Sequence, residues 1–258
     1  MSSTATYHSL KDRVVVITGG GQGLGRAYAH HFAQQGAIPV IAEIQTEKAA
    51  NVEREVTASG GKALAIVTDV TSEASVANMV EETLRKLGRL DCLINNAALL
   101  QHIKMGPFWT LSAEHWRAVI DVNVTGAFLC AKAVAPVMQQ ARWGRIVNLS
   151  SPTVTAGRPN YMHYVTSKSA AIGMTRVMAR ELGPWNITVN TFWPGVILTE
   201  VERPSVNRSQ VEEMIKQQSL PRPVNIEDHA RAVLFLCSEE ASFITGQNIQ
   251  SDGGRTFL

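Results

Sequence analysis

Apolar positions along this chain follow two alternating rhythms. Short β-branched or aliphatic runs, the length of buried strands, occupy residues 13–18, 37–44, 63–67, 91–94, 144–150 and 186–192, with a brief last one at 247–250. Between them lie longer stretches whose apolar residues recur every three or four positions, as on one face of a helix. Ala49, Val52 and Val56 make such a face in 46–59, and Val76, Met79, Val80 and Leu84 make another in 71–88. Gly60-Gly61 and Gly88 close those two helices. Strands alternating with helices predict an α/β chain, doubly wound, with a parallel sheet of about seven strands and helices on both faces. No internal repeat or linker divides it, so residues 1–258 are expected to form one domain.

Two stretches break the rhythm. Asn123 and Gly126 interrupt the otherwise apolar helix over 112–140; either a backbone carbonyl is left open for a water there or Asn123 is a hydrogen-bonded core asparagine. Residues 199–224 are polar, hold Pro204, Pro221 and Pro223, and enclose one amphipathic segment at 209–218. Excursions of this length are often lids, and a substrate lid is expected.

Composition removes several classes. A hydrophobic fraction of 45% with 18% charged residues suits a globular protein with a sizeable core. The 24 basic and 22 acidic residues are interspersed, so neither a nucleic acid nor a membrane surface is an expected partner. No uninterrupted apolar run approaches a membrane span, and residues 1–8 carry no targeting signal. Cys92, Cys130 and Cys237 lie in apolar segments without metal-ligand spacing, which suits a reducing, cytoplasmic setting and no bound metal.

The chemistry gathers at the strand ends. The first strand runs into Thr18-Gly19-Gly20-Gly21-Gln22-Gly23-Leu24-Gly25. Glycines serve a tight strand-to-helix turn, and they also bare backbone amides and a helix N-terminus to a pyrophosphate. Glu43 ends the second strand 18 residues after Gly25, near the spacing at which an acid accepts hydrogen bonds from an adenosine ribose and repels a 2′-phosphate. Gln22 and Ile44 supply no cation for such a phosphate, so NAD is favoured over NADP. Ser151 follows the strand over 144–150, at the end where open α/β sheets bind ligands. Tyr164 and Lys168 are four apart, one above the other on a helix, and an ammonium beside a phenol whose ordinary pKa is about 10 favours the phenolate. Tyr164 is thus a candidate general acid/base.

In this order, Thr18-Gly19-x-x-x-Gly23-x-Gly25, Asn95-Asn96-Ala97, Asn123, Ser151 and Tyr164-x-x-x-Lys168 resemble the short-chain dehydrogenase/reductase family over nearly all of residues 11–254. The resemblance implies a Rossmann-like NAD(P)-binding domain with a catalytic tetrad of Asn123, Ser151, Tyr164 and Lys168. It implies cofactor contacts from Gly19, Gln22, Gly23, Leu24, Gly25, Glu43, Asp69, Val70, Asn96, Ala97, Tyr164, Lys168, Pro194, Gly195, Ile197 and Thr199, with Asn95 bracing the sheet. The family's serine stands 13 residues before the tyrosine, which selects Ser151 over Ser150. Ala98 replaces the family's usual glycine, and Tyr161, seven residues before Lys168, resembles the tyrosine of enoyl-thioester reductases in the same superfamily.

By the same resemblance Leu99, Thr153, His163 and Val196, with Leu100, Trp109 and Trp193, fall near the open end of the nicotinamide pocket. Their apolar and aromatic character suggests a small hydrophobic, aromatic or cyclic secondary alcohol, oxidised reversibly to its ketone. A cofactor-binding regulator on the same fold and an enoyl or imine reductase are the alternatives. Relatives commonly form tetramers through helices near 112–140 and 161–182 and through the C-terminus, and a homotetramer is expected.

Overall fold

The computed structural model describes residues 5–100, 103–201 and 206–257. Seven strands form one sheet: β1 Val14–Thr18, β2 Ile38–Glu43, β3 Leu64–Val67, β4 Cys92–Asn95, β5 Gly144–Leu149, β6 Ile187–Pro194 and β7 Asn248–Ser251. Their order is β3-β2-β1-β4-β5-β6-β7, and every pairing is parallel. The chain works outward from β1 to β3, then crosses back to lay β4 beside β1. Ligands of open α/β sheets bind beyond the carboxyl ends at such a reversal.

The alternation of side chains along each strand divides the core in two. Val15, Ile17, Ile94, Val147 and Phe192 pack on one face with α1 (Gly23–Gln34), α2 (Thr46–Ala58) and α9 (Ile226–Cys237). Val14, Val16, Leu93, Ile146 and Val189 pack on the other with α3 (Glu73–Leu87), α5 (Gly126–Ala141) and α7 (Met162–Leu182). Because both faces are covered, β1 is buried at all five positions. Each fully buried Val or Ile contributes roughly 1.5–3 kcal/mol relative to exposure.

Helix α4 (Ala113–Ile120) joins α5 through a π-helical turn over Asp121–Thr125, so the interruption expected at Asn123 is a widened turn rather than a break. The whole stretch Ala113–Ala141 is long and apolar enough, by length and composition, to span a membrane. That corrects the expectation from uninterrupted runs alone; its inward stripe of Val119, Cys130, Val134 and Met138 is packed in the core. One element had no sequence signal: α6, Thr153–Ala156, is a single turn behind Ser151. In the 199–224 segment, α8 (Arg208–Lys216) is started by a capping box of Asn207 and Gln210.

Candidate active site

The glycine turn is stitched to the end of β4. Thr18 Oγ1 accepts from the backbone N–H of Asn96 and Ala97 at 3.1 and 3.0 Å, and Asn96 Nδ2 donates to the carbonyls of Thr18 and Gly19 at 2.9 and 3.1 Å. Gly25 has no room for a side chain: a Cβ there would lie 2.2 Å from the Gly19 carbonyl oxygen. Gly23, at φ +56°, opens α1 with its N–H turned outward. Beside this turn is a cleft of about 380 Å³ lined by Gly19, Gln22, Gly23, Leu24, Glu43, Asp69, Val70, Asn96, Ala97, Leu99, Ile197 and Thr199 among others. Bare amides, a helix N-terminus and an acid at the end of β2 fit the diphosphate and ribose of a dinucleotide.

Two features of this cleft escape the sequence. Lys48 Nζ donates to Gln22 Oε1, so a cation does stand beside the glycine turn. Gln22 and Ile44 themselves supply none, as expected; the first turn of α2 brings this one in across 26 residues of chain. Glu43 is buried, and its two carboxylate oxygens accept from the N–H groups of Gly21 and Gln45 at 3.3 and 3.1 Å. Second, the N–H of Gly23 donates to Glu200 Oε1 at 2.9 Å, with Arg26 3.6 Å from the same oxygen. Burial pushes the Glu200 carboxyl up, but the Gly23 amide and Arg26 outweigh it and hold it below its ordinary value. A diphosphate at this helix end competes with Glu200 for the same amide. Glu200→Gln, which removes the competing charge, is expected to tighten NADH binding several-fold in a fluorescence titration; unchanged affinity would mean that Glu200 leaves at no cost.

A second cavity, about 440 Å³, adjoins the cleft and shares Leu24, Asn96, Ala98, Leu100 and Ile197 with it. Ser150, Ser151, Thr153, Tyr161, Tyr164, Lys168, Pro194, Gly195 and Val196 line it, and α8 contributes Gln210, Val211, Met214 and Ile215 from above. The two adjacent serines differ in what their hydroxyls do. Ser150 Oγ donates to the Lys168 carbonyl at 2.8 Å, whereas Ser151 Oγ accepts from Thr153 N–H at 3.2 Å and from Thr153 Oγ1 at 2.9 Å. Ser151 therefore keeps its proton to give. Lys168 Nζ donates to the Leu149 carbonyl at 2.8 Å and lies 5.7 Å from the centre of the Tyr164 ring. Burial lowers Lys168 to about 8, so its ammonium persists at neutral pH and discharges above that value.

The other expected site residues divide. Asn123 is buried outside both cavity walls; its Oδ1 accepts from Leu99 N–H at 2.8 Å and its Nδ2 donates to Ser167 Oγ at 3.0 Å. Asn95 Nδ2 donates to Asn148 Oδ1 at 2.8 Å and so ties β4 to β5. Leu99 lines the dinucleotide cleft rather than the cavity of Ser151. His163 lines neither: its ring is buried against His115 and Tyr161, with centroids 5.1 and 6.0 Å away. The helix turns it about 100° from Tyr164, off the cavity face. Trp109 is 75% exposed and Trp193 is a core residue bonded to Thr191, so neither reaches the cavity.

Sequence reasoning missed His229, which is wholly buried with its ring nitrogen Nε2 3.3 Å from the Gly195 carbonyl. As the donor, it anchors the Pro194-Gly195 corner of the cavity wall. Burial lowers His229 to about 4 against an ordinary 6.5. The unfolded chain therefore takes up a proton between pH 6.5 and 4 that the folded chain refuses. The neutral imidazole's contribution to stability, on the order of 3 kcal/mol, is present above pH 6.5 and lost as pH falls toward 4. His31 and His163, also lowered by burial, act in the same direction. Denaturant melts are expected to weaken from pH 7 to 5, with a shallower slope in His229→Gln.

An all-parallel seven-stranded sheet, a glycine turn at its reversal and a Ser-Tyr-Lys wall define a nucleotide-dependent oxidoreductase of the short-chain dehydrogenase/reductase family, to which this chain belongs. The family model described as enoyl-(acyl carrier protein) reductase matches residues 19–256. The chain is 36% identical over 249 residues to (2S)-[(R)-hydroxy(phenyl)methyl]succinyl-CoA dehydrogenase subunit BbsD of Thauera aromatica, covering 96% of this chain and 98% of that one. It is likewise 36% identical over 245 residues to the 3-oxoacyl-[acyl-carrier-protein] reductase FabG of Thermotoga maritima, covering 95% and 98%. A 3-ketoacyl-(acyl-carrier-protein) reductase of Brucella melitensis, solved with NADH, superposes with a TM-score of 0.88 at 31% identity, covering 96% of this chain and all of that one.

Proposed function

We propose that the protein interconverts a small secondary alcohol of hydrophobic or aromatic character and its ketone, using NAD(H). The observation that carries this is the single cavity wall shared by Ser151, Tyr164 and Lys168, adjoining the glycine-turn cleft. The nucleotide, when bound, supplies the hydride. Tyr164 exchanges a proton with the substrate oxygen, and Ser151 donates its remaining proton to that oxygen as charge develops. Lys168, its ammonium within reach of the Tyr164 ring, favours the phenolate while it is charged. Asn123, by holding Leu99 and Ser167, fixes the floor on which Tyr164 rests, since Ser167 Oγ in turn donates to the Tyr164 carbonyl. The names of two relatives support the reaction class, one containing a hydroxy(phenyl)methyl group and the other a 3-oxoacyl group.

Glu43 in the cleft supports NAD, and Lys48 beside Gln22 is the residue through which NADP would be accepted instead. A fluorescence titration with NADH and NADPH, followed by an absorbance screen of secondary alcohols with the preferred oxidised form, tests both parts. Tighter NADH and turnover of an alcohol are expected. Tighter NADPH would overturn the cofactor assignment, and binding without any turnover would favour a regulator.

Reduction of a conjugated C=C bond is the second reading, and the position of Tyr161 in the wall, 4.9 Å from Tyr164 ring to ring, favours it. Ser151→Ala separates the two: loss of ketone reduction is expected, whereas undiminished turnover of an enoyl thioester would support Tyr161.

A further inference from the structure

A hydroxyl has one proton to give and two lone pairs to fill. At Ser151 both lone pairs are taken by the residue two positions on: the Thr153 N–H reaches Ser151 Oγ at 3.2 Å, and the Thr153 hydroxyl donates to it at 2.9 Å. The local chain holds Thr153 in place. Pro152, its φ of −59° fixed by its ring, leads into α6. The Pro152 carbonyl accepts from Ala156 N–H at 3.2 Å and from Thr155 Oγ1 at 3.0 Å, which closes that single turn, and Gly157 at φ +55° ends it. A β-branched side chain on so short a turn has few rotamers open to it. Thr153 is half-buried in the wall of the cavity that Ser151 and Tyr164 share, and its hydroxyl is directed at Ser151. The neighbouring serine shows the opposite arrangement, since Ser150 spends its proton on the Lys168 carbonyl.

We propose that Thr153 is a positioning residue for the reaction: by filling the acceptor side of Ser151 it leaves that hydroxyl able only to donate, and so aims its proton at the substrate oxygen. This rests on the alcohol–ketone reading above. Ser151 then has no lone pair for the hydroxyl proton of an alcohol, which is left to Tyr164. Donation into Ser151 also polarises its O–H, so the bond to an oxygen gathering negative charge gains strength. Without the Thr153 hydroxyl one lone pair of Ser151 opens. The serine can then turn to accept from the alcohol or from water, and the substrate oxygen loses its donor.

The test is a double-mutant cycle of wild type, Thr153→Val, Ser151→Ala and the double variant. It is read on the fastest substrate of the alcohol screen above, with 1-phenylethanol, 1-indanol and cyclohexanol among its members, and by single turnover at high enzyme concentration where rates are low. Valine keeps the shape of threonine and the backbone N–H bond, and removes one hydroxyl. Thr153→Val is expected to lower kcat by about 3–10-fold, the scale of one neutral hydrogen bond, with KM and NADH affinity unchanged. Thr153→Ser, which restores the hydroxyl, is expected to recover the rate; Thr153→Ala repeats the loss should valine disturb the turn. In the Ser151→Ala background, removing the Thr153 hydroxyl is expected to change kcat by less than about twofold, because no proton is left to aim. Equal losses in both backgrounds would make Thr153 a wall residue only, and a rise in KM alone would make it a substrate contact; either overturns the proposal. So would a kcat that holds or rises in Thr153→Val, since Ser151 would then be giving its proton to Thr153. In each of these cases the alcohol–ketone reading stands. If NADH binds and no alcohol or ketone reacts, both fall.

Discussion

Tyr164→Phe is expected to cost about 10²–10⁴-fold in kcat, the usual contribution of a positioned proton transfer, while NADH affinity stays unchanged. The exchange removes one oxygen and little else. The ring keeps its place against Tyr161 and beside the Lys168 ammonium, and α7 keeps the Ser167 to Tyr164 carbonyl bond that steadies this turn. Steady-state rates with the alcohol found by screening, set beside an NADH titration, make the measurement. Wild-type turnover in Tyr164→Phe would sink the proposed acid/base; loss of both turnover and binding would assign the hydroxyl to cofactor binding instead.

Gly25→Ala is expected to abolish NADH binding in the micromolar range and to lower stability by about 1–3 kcal/mol, the ordinary cost of overpacking. The added methyl would lie 2.2 Å from the Gly19 carbonyl oxygen and 2.7 Å from Asn96 Nδ2. Backbone on one side and a bonded amide on the other leave nothing that yields, so the turn itself must move. With it would go the Asn96 bonds to Thr18 and Gly19 and the outward aim of the Gly23 amide. Gly173→Ala is the control: it lies in α7 with nothing within 4 Å of the new carbon, and binding is expected to be retained. Full NADH affinity in Gly25→Ala would show that the turn does not hold the diphosphate.

Most of the fold was legible because its signals are local. A run such as Val14-Val15-Val16-Ile17 ending in glycine needs no distant partner to be read as a buried strand, and β1 is found there. The spacing of Tyr164 and Lys168 likewise carries their shared cavity wall, because helix geometry fixes it. What was not legible depends on contacts across the chain. Lys48 reaches Gln22 from the next helix, Glu200 reaches Gly23 across 177 residues, and His229 reaches Gly195 from α9. No periodicity encodes such meetings. His163 was expected near the substrate by the family resemblance, yet it lines neither cavity, because neighbours on a helix point apart. Choosing Ser151 over Ser150 rested on family spacing, and the hydroxyl bonding now supplies a physical ground, since only Ser150 spends its proton on a backbone carbonyl.

The wide turn at Asp121–Thr125 also acts as a rotational offset. Buried positions along this stretch are Val119, Asn123, Gly126, Cys130, Ala131, Val134 and Met138, and those of α5 recur at the three- and four-residue steps of an ordinary helix. The π turn accommodates one more residue than an α turn, and it lets Val119 of α4 pack with Tyr161 and Tyr164 while Cys130, Val134 and Met138 of α5 pack on the sheet. Deleting one residue between 121 and 125 would remove the extra residue and let the turn close to ordinary α pitch with α4 and α5 still in line, whereas the same deletion inside α5 would swing everything beyond it by about 100°. Only the lesion inside α5 behaves like a frameshift in three dimensions, with nearly every residue surviving while an inward stripe turns to solvent; the one in the wide turn costs Asn123 its hold on Leu99 and Ser167.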